Sequence, residues 1–344
     1  MKAVRVHGRG GVDQLRYEET SEPELESAGD VIVRLKAAAL NRIDVDLRRN
    51  LNLACLSFPH IPGSDGAGEV VAVGSKVSHV KPGDRVCLYP AVSCGRCELC
   101  RNEQEHLCAQ RHLLGERDAG TYAEYVRVGE KNCYPIPSGL SFEEAAAFPL
   151  SYVTAWRMLA SEAGVKPGEL VLIVGVSGGI GSAALRLGAA LGARIIAASS
   201  SEEKLSAALS HGARQAINSG GDFAREVRNL TQRRGVDIVV DCVGGEGWAK
   251  SLASLARGGR LVTCGAVAGS APQTSLRRIF WNHLKIFGCR AGTREDFHQV
   301  LNFFYASQTK PIIDRVFPLK DAAHAQRRME ERKHFGKIVL SMDG

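Results

Sequence analysis

The chain has 344 residues, 44% of them hydrophobic and 24% charged, with 37 glycines and 12 prolines. That length exceeds one ordinary domain, and the composition excludes a disordered, fibrous or small staple-dependent protein. Lysine and arginine number 44 against 37 acidic residues, a net charge of +7 with no basic block, so neither a nucleic acid nor a membrane surface is expected as partner.

The opening Met1-Lys2-Ala3-Val4-Arg5-Val6-His7 lacks the apolar core and small-residue cleavage site of a signal peptide. Nor does any apolar run approach the roughly 18 residues of a membrane span, so the chain reads as cytoplasmic. Short alternating valine-rich runs follow at 30–35, 68–74 and 83–88. Broken by turn residues, they predict antiparallel strands in a small barrel-like domain.

Next comes Cys94-Gly95-Arg96-Cys97-Glu98-Leu99-Cys100 and then Cys108, a Cys-x2-Cys-x2-Cys-x7-Cys run. In a reducing compartment clustered cysteines more often hold metal than pair. Four thiolates on one loop close a tetrahedron around a single zinc and leave no position for water, so one structural zinc per chain is expected over residues 94–108. An iron–sulfur cluster or disulfides account less well for the surroundings.

From about Ser141 the texture changes to alanine-rich helical stretches alternating with apolar strands at 170–174, 193–198, 236–240 and 260–263. Such alternation predicts an α/β domain, a doubly wound parallel sheet covered on both faces. Strand patterns return at 316–319 and 336–340. The expected domains are therefore 1–150 (β-rich), 151–292 (α/β) and 293–344, a return to the first.

The strand at 170–174 runs into Gly175-Val176-Ser177-Gly178-Gly179-Ile180-Gly181, with a helix expected from Ser182. Glycines at 175, 178 and 181 permit a tight turn, close approach of a pyrophosphate to the backbone, and close helix–strand packing. The next strand ends in Ser199-Ser200-Ser201 with no carboxylate at its tip and Lys204 one turn on. Hydroxyls and a cation suit the extra phosphate of NADP, so NADP(H) is favoured over NAD(H). The competing acidic candidates are Glu202 and Glu203, of which Glu203 is explained by a capping box over 200–203.

On these motifs the chain resembles the medium-chain dehydrogenase/reductase superfamily over nearly its whole length. The resemblance implies a GroES-like catalytic domain, a Rossmann cofactor domain, and self-association as a dimer or tetramer. In the zinc alcohol dehydrogenases of that family, the catalytic metal ligands match Asn41, Ser64 and Leu150 here, and the proton-passing hydroxyl matches Ile43. None of these is a good zinc ligand, and leucine is no ligand at all. A substitute metal site drawn from Cys55, His60, Asp65 and Cys87 has no spaced ligand pair to support it.

The Asn41-Arg42-Ile43-Asp44 and Gly63-Ser64-Asp65 segments are similar instead to the quinone oxidoreductase branch. What the resemblance implies is NADPH-dependent reduction of a small molecule: a quinone, or an activated C=C bond in an enone, enal or enoyl thioester. Asn41 is the leading carbonyl donor, with turn capping as its plainer alternative. Asp44 is expected to orient Asn41 or pair with Lys337, and Tyr152 is a candidate proton donor. Arg42 is placed near the pyrophosphate and Thr154 near the nicotinamide. Val243, Ala266 and Lys337 complete the expected cofactor set, with backbone of 262–267 and 288–293 toward the carboxamide. Cys242, Cys264 and Cys289 read as buried small hydrophobes. Segments 47–58 and 280–284 are expected to line the substrate pocket. Arg48-Arg49-Asn50 reads as solvated charge more readily than as a site for an anionic tail such as coenzyme A. The alternatives are a zinc alcohol dehydrogenase with relocated ligands, and a dinucleotide-binding protein without turnover.

Overall fold

A computed structural model describes residues 1–49, 57–307 and 309–343. The chain divides into two compact units, Met1–Leu150 with Leu301–Gly344, and Ser151–Val300. The second junction lies inside the helix Arg294–Ser307, eight residues beyond the boundary read from the sequence.

The first unit is built on a seven-stranded sheet. Its order is Ile313–Pro318, Lys337–Ser341, Asp30–Ala39, Asp65–Val73, Arg85–Leu88 and Cys133–Pro135, with Tyr125–Gly129 also paired to Asp30–Ala39. Along Asp30–Ala39, Val31, Val33 and Leu35 are buried and pack with Val70, Val86, Leu88, Val126 and Val128. That alternation is the signature of a sheet with one face on a core. Register positions the chemistry, because Ala39 pairs with Asp65 on one side and with Val339 on the other. Asn41, just beyond Ala39, and Lys337, two residues before Val339, therefore fall at the same end of the sheet as Asp65.

The second unit holds a six-stranded sheet in the order Gln215–Asn218, Arg194–Ser199, Leu170–Val174, Val236–Asp241, Leu255–Thr263 and Lys285–Gly288. Every neighbouring pair is parallel, and Val171, Leu172 and Ile173 are fully buried, as a sheet covered on both faces requires. The doubly wound α/β architecture expected from the sequence is present. Because the strands are parallel, their C-terminal ends form one edge, carrying the Gly175 loop, Ser199, Cys242, Cys264 and Cys289.

Two local expectations change. The helix expected from Ser182 runs Gly179–Ala190, with Gly178 as its N-cap, so the last glycines of the motif form its first turn. No capping box forms over 200–203: the helix is Glu202–Ser210, and the N-cap Ser201 accepts the Lys204 N–H. Of the proposed pocket segments, 50–56 lies outside the described residues, as do Asn50 and Cys55. No helix among the described residues is long and apolar enough to cross a membrane.

Candidate functional site

Three clusters carry chemistry. In the first unit, Lys337, buried at 3% exposure, donates from Nζ to Asn41 Oδ1 at 2.6 Å and to Asp65 Oδ2 at 2.8 Å. Asn41 Nδ2 also donates to Asp65 Oδ2 at 2.8 Å, and the Leu150 N–H donates to Asp65 Oδ1 at 2.8 Å. The amide is thus held by both ends, its oxygen toward the ammonium and its nitrogen toward the carboxylate, the only orientation that satisfies both partners.

Asp44 supports this arrangement from behind. Its Oδ2 accepts the Asn41 backbone N–H at 2.8 Å and the Tyr122 hydroxyl at 3.1 Å, while Oδ1 is buried without a partner. Asp44 thus orients Asn41, and the ion pair of Lys337 is with Asp65 and not with Asp44. The sequence offered no signal for Tyr122, which is 78 residues away from Asp44.

Burial pushes the Asp44 carboxyl up to about 7 against the pull of the Asn41 N–H, the Lys337 ammonium and the Tyr122 hydroxyl, with Asp65 adding to the rise. The fold therefore prefers the protonated form. Asp44's contribution is fully present below its ordinary 3.8 and is lost as pH rises toward about 7. Relative to an Asp44→Asn variant, the wild type is expected to lose up to a few kcal/mol across that window and nothing more above it. Thermal melts of both proteins over the same pH series check this, and parallel curves would refute it.

The ligand positions implied by the resemblance do not fit a zinc ion. The Lys337 ammonium sits where Asn41 and Asp65 converge, Leu150 supplies only a backbone N–H, and the Ser64 hydroxyl is buried without a hydrogen-bond partner. A cation already bound at such oxygens opposes a second one. The substitute ligands are engaged elsewhere: His60 Nε2 with Gly115 O at 2.8 Å, the Cys87 thiol with Tyr134 O, and Asp65 with Lys337.

Among the described residues, the group of three or more side chains that could hold a metal ion is Cys94, Cys97, Cys100 and Cys108, whose sulfurs all lie within 4.8 Å of one another. Cys94 Sγ is 3.8 Å from Cys100 Sγ and 3.6 Å from Cys108 Sγ. A tetrahedron with Zn–S bonds of about 2.3 Å has edges of roughly 3.8 Å, so these thiols fit a zinc ion. Backbone N–H groups of Arg96 and Cys97 pull the Cys94 thiol down to about 6, favouring the thiolate that a metal needs.

In the second unit, Gly175 has φ +83° and Gly181 packs against it: a Cβ on Gly181 would stand 2.2 Å from Gly175 O. The helix Gly179–Ala190 begins with no side-chain cap, so its first N–H groups and the positive end of its dipole are available to an anion. Lys204 Nζ lies 3.3 Å from Ser177 Oγ. Ser199 ends its strand, Ser200 is exposed, and Glu202 accepts from Asn218 Nδ2 at 2.9 Å. Val243 and Gly244 donate to Asp241 Oδ1 at 2.9 Å, and Val243 O accepts from Ala268 N, which sets Val243 beside the exposed Ala266 turn. The backbone of the loop and the uncapped helix start fit a dinucleotide pyrophosphate.

The other expected site residues are dispersed. Arg42 is exposed and paired with Asp46 at 2.8 Å. Thr154 and Tyr152 are buried in the helix Pro149–Trp156, and burial pushes the Tyr152 phenol up. Arg48 is fully buried, donating to Gln326 and Glu330, so it is not solvated charge. Phe280 and Trp281 are exposed. Cys242, Cys264 and Cys289 are half-buried just past strand ends and are not core residues.

A family model described as Alcohol dehydrogenase GroES-like domain matches residues 27–138, and one described as Zinc-binding dehydrogenase matches residues 179–306. The chain is similar to an alcohol dehydrogenase of Geobacillus stearothermophilus, 33% identical over 332 residues and 96% of each chain. A quinone oxidoreductase of Mus musculus is 28% identical over 99% of this chain and 97% of its own. An acryloyl-coenzyme A reductase of Metallosphaera sedula is 29% identical over 99% of this chain and 100% of its own. A crystal structure of an NAD-dependent alcohol dehydrogenase matches with a TM-score of 0.94 and 41% identity, over 99% of this chain and 100% of that one. With both domain models matched and full-length relatives in hand, the chain belongs to the medium-chain dehydrogenase/reductase superfamily, a family of oxidoreductases.

Proposed function

We propose that the protein is an NADPH-dependent reductase of a quinone or an activated C=C bond (enone, enal or enoyl thioester) that works without a catalytic zinc. The observation that carries this reading is the Lys337 ammonium bound between Asn41 and Asp65, where zinc ligands would stand in an alcohol dehydrogenase. The names of the quinone oxidoreductase and acryloyl-coenzyme A reductase relatives support the substrate class. NADPH is favoured over NADH by Ser177, Ser199, Ser200 and Lys204, with no carboxylate ending the strand Arg194–Ser199.

When bound, the dinucleotide supplies a hydride. The chain's residues do the rest. Lys337 and the Asn41 amide form a fixed positive pole, and such preorganised donors stabilise negative charge developing on an acceptor oxygen. Asp65 holds the ammonium in place, and Asp44 with Tyr122 holds Asn41. Gly175, Ser177, Gly178, Gly179, Ile180 and Gly181 present backbone to the pyrophosphate, and Val243, Ala266 and Thr154 complete the cofactor contacts. The four lobe cysteines would hold one structural zinc, keeping their loop folded.

Self-association as a dimer or tetramer belongs to the same reading. Lys285–Gly288 is an edge strand, and Leu276, Phe280, Trp281 and Ile286 are exposed on and beside it, apolar surface that a second copy would cover.

The test is NADPH oxidation against a panel of quinones, enones and enoyl thioesters, with NADH as control and zinc counted in the same preparation. Turnover with about one zinc per chain is the expected result. Two zincs with alcohol oxidation would establish a relocated catalytic metal, and tight NADPH binding without turnover on any acceptor would establish a non-catalytic dinucleotide protein.

A further inference from the structure

Asp241 pairs with Thr263 in the parallel register, so the next residues, Cys242 and Cys264, leave adjacent strands side by side. Their sulfurs are 3.8 Å apart, with the Cys264 thiol donating to Cys242 Sγ. Neighbouring strands lie about 4.8 Å apart, within the roughly 4.4–6.8 Å between Cα atoms that a disulfide spans. Both cysteines are half-buried, and their sulfurs are close enough to each other to react.

We propose that Cys242 and Cys264 form a reversible disulfide when a hydroperoxide oxidises them, and that this bridge weakens dinucleotide binding. The second half rests on the reading of the glycine loop as a dinucleotide site. In the first step Cys264 sulfur attacks the peroxide: an S–O bond forms, the O–O bond breaks, and a sulfenic acid and an alcohol or water result. Cys242 sulfur then attacks Cys264 sulfur; the S–S bond forms, the S–O bond breaks, and hydroxide leaves as water with the Cys242 proton. Two electrons pass from the thiols to the peroxide. The same balance holds with the two sulfurs exchanged.

The coupling follows from packing. Closing the bond draws the sulfurs from 3.8 Å to about 2.05 Å, and the backbone beside them has no slack. A Cβ on Gly265 would stand 2.8 Å from Cys242 O, and a Cβ on Gly175 would stand 2.7 Å from Val243 Cγ2. Asp241 Oδ1 pins the Val243 and Gly244 N–H groups at 2.9 Å. Movement at Cys242 therefore passes through Val243 to Gly175, the first residue of the dinucleotide loop.

The experiment treats the zinc-loaded full chain with hydrogen peroxide and then maps disulfides by alkylation and peptide mass. It follows zinc release and measures NADPH and NADH affinity before oxidation, after it, and after a thiol reductant. The expected result is a Cys242–Cys264 peptide lighter by two hydrogens and NADPH binding about tenfold weaker or more, restored by the reductant. The Cys242→Ser variant should bind NADPH normally, form no bridge and show no loss after peroxide that the reductant restores. Both thiols remaining alkylatable while only the zinc lobe oxidises would overturn the proposal, as would a bridge that leaves affinity unchanged. Failure of the reduced protein to bind either dinucleotide would strike the functional reading instead, and the peptide map would still report the bridge.

Discussion

Lys337→Met is expected to cost about 3–5 kcal/mol of stability, because it leaves the Asp65 carboxylate fully buried without its cation. Two donors remain to Asp65, the Asn41 amide and the Leu150 N–H, and neither carries a charge. On the proposed function, the same change is expected to lower kcat roughly 100-fold with little change in the KM for NADPH, since it would remove a preorganised positive pole at the acceptor oxygen. Denaturant midpoints and steady-state kinetics read the two effects separately. The double variant Lys337→Met/Asp65→Asn should recover much of the stability, because both charges are gone, and none of the turnover. A raised KM for NADPH at unchanged kcat would make Lys337 a cofactor contact and refute the role given to it here.

The second large effect separates two glycines of one loop. In Gly181→Ala the new methyl would stand 2.2 Å from Gly175 O and 2.8 Å from Val176 Cα. Backbone must move, so a cost of about 1–3 kcal/mol and loss of NADPH binding are expected together. In Gly178→Ala the nearest atom is Gly175 O at 3.7 Å, an ordinary contact, and the backbone is already extended at φ −73°. That variant should fold like the wild type while its methyl occupies the surface offered to the pyrophosphate, weakening NADPH binding by more than about tenfold. Melting temperature paired with a dinucleotide titration distinguishes them. Normal NADPH affinity in Gly178→Ala would remove the loop from the binding site.

What was legible beforehand was local. The Cys-x2-Cys-x2-Cys spacing confines its first three thiols to one short loop, and the fourth closes the group from eight residues further on. The Gly175 loop is a strand, a turn and a helix in direct succession, each with its own residue preferences. Asp44 lies one helical turn from Asn41, so its capping of the Asn41 N–H is a contact that short-range spacing anticipates. Helix starts were less legible: Gly179 opens a helix at which glycine propensity argues against helix, and packing of Gly181 against Gly175 overrides it.

Polar partners distant in sequence were another matter. Lys337 meets Asn41 across 296 residues and Asp65 across 272, and Tyr122 reaches Asp44 across 78. Nothing near any of these residues says which of two carboxylates, Asp44 or Asp65, receives the ammonium. The sheet decides it, because its register sets Asp65 opposite Ala39 and Val339 on the far side of the same residue. The cysteine pair has the same origin: Cys242 and Cys264 are 22 residues apart and look like unrelated strand ends until the parallel register sets them together. Spacing along the chain thus anticipated the clustered thiols of 94–108, the tight glycine turn at 175–181 and the alternation of apolar strands with helices, since these depend on backbone geometry within a few residues. Only the tertiary structure decided which buried charges neutralise each other, because that choice is made by strands that pair from opposite ends of the chain.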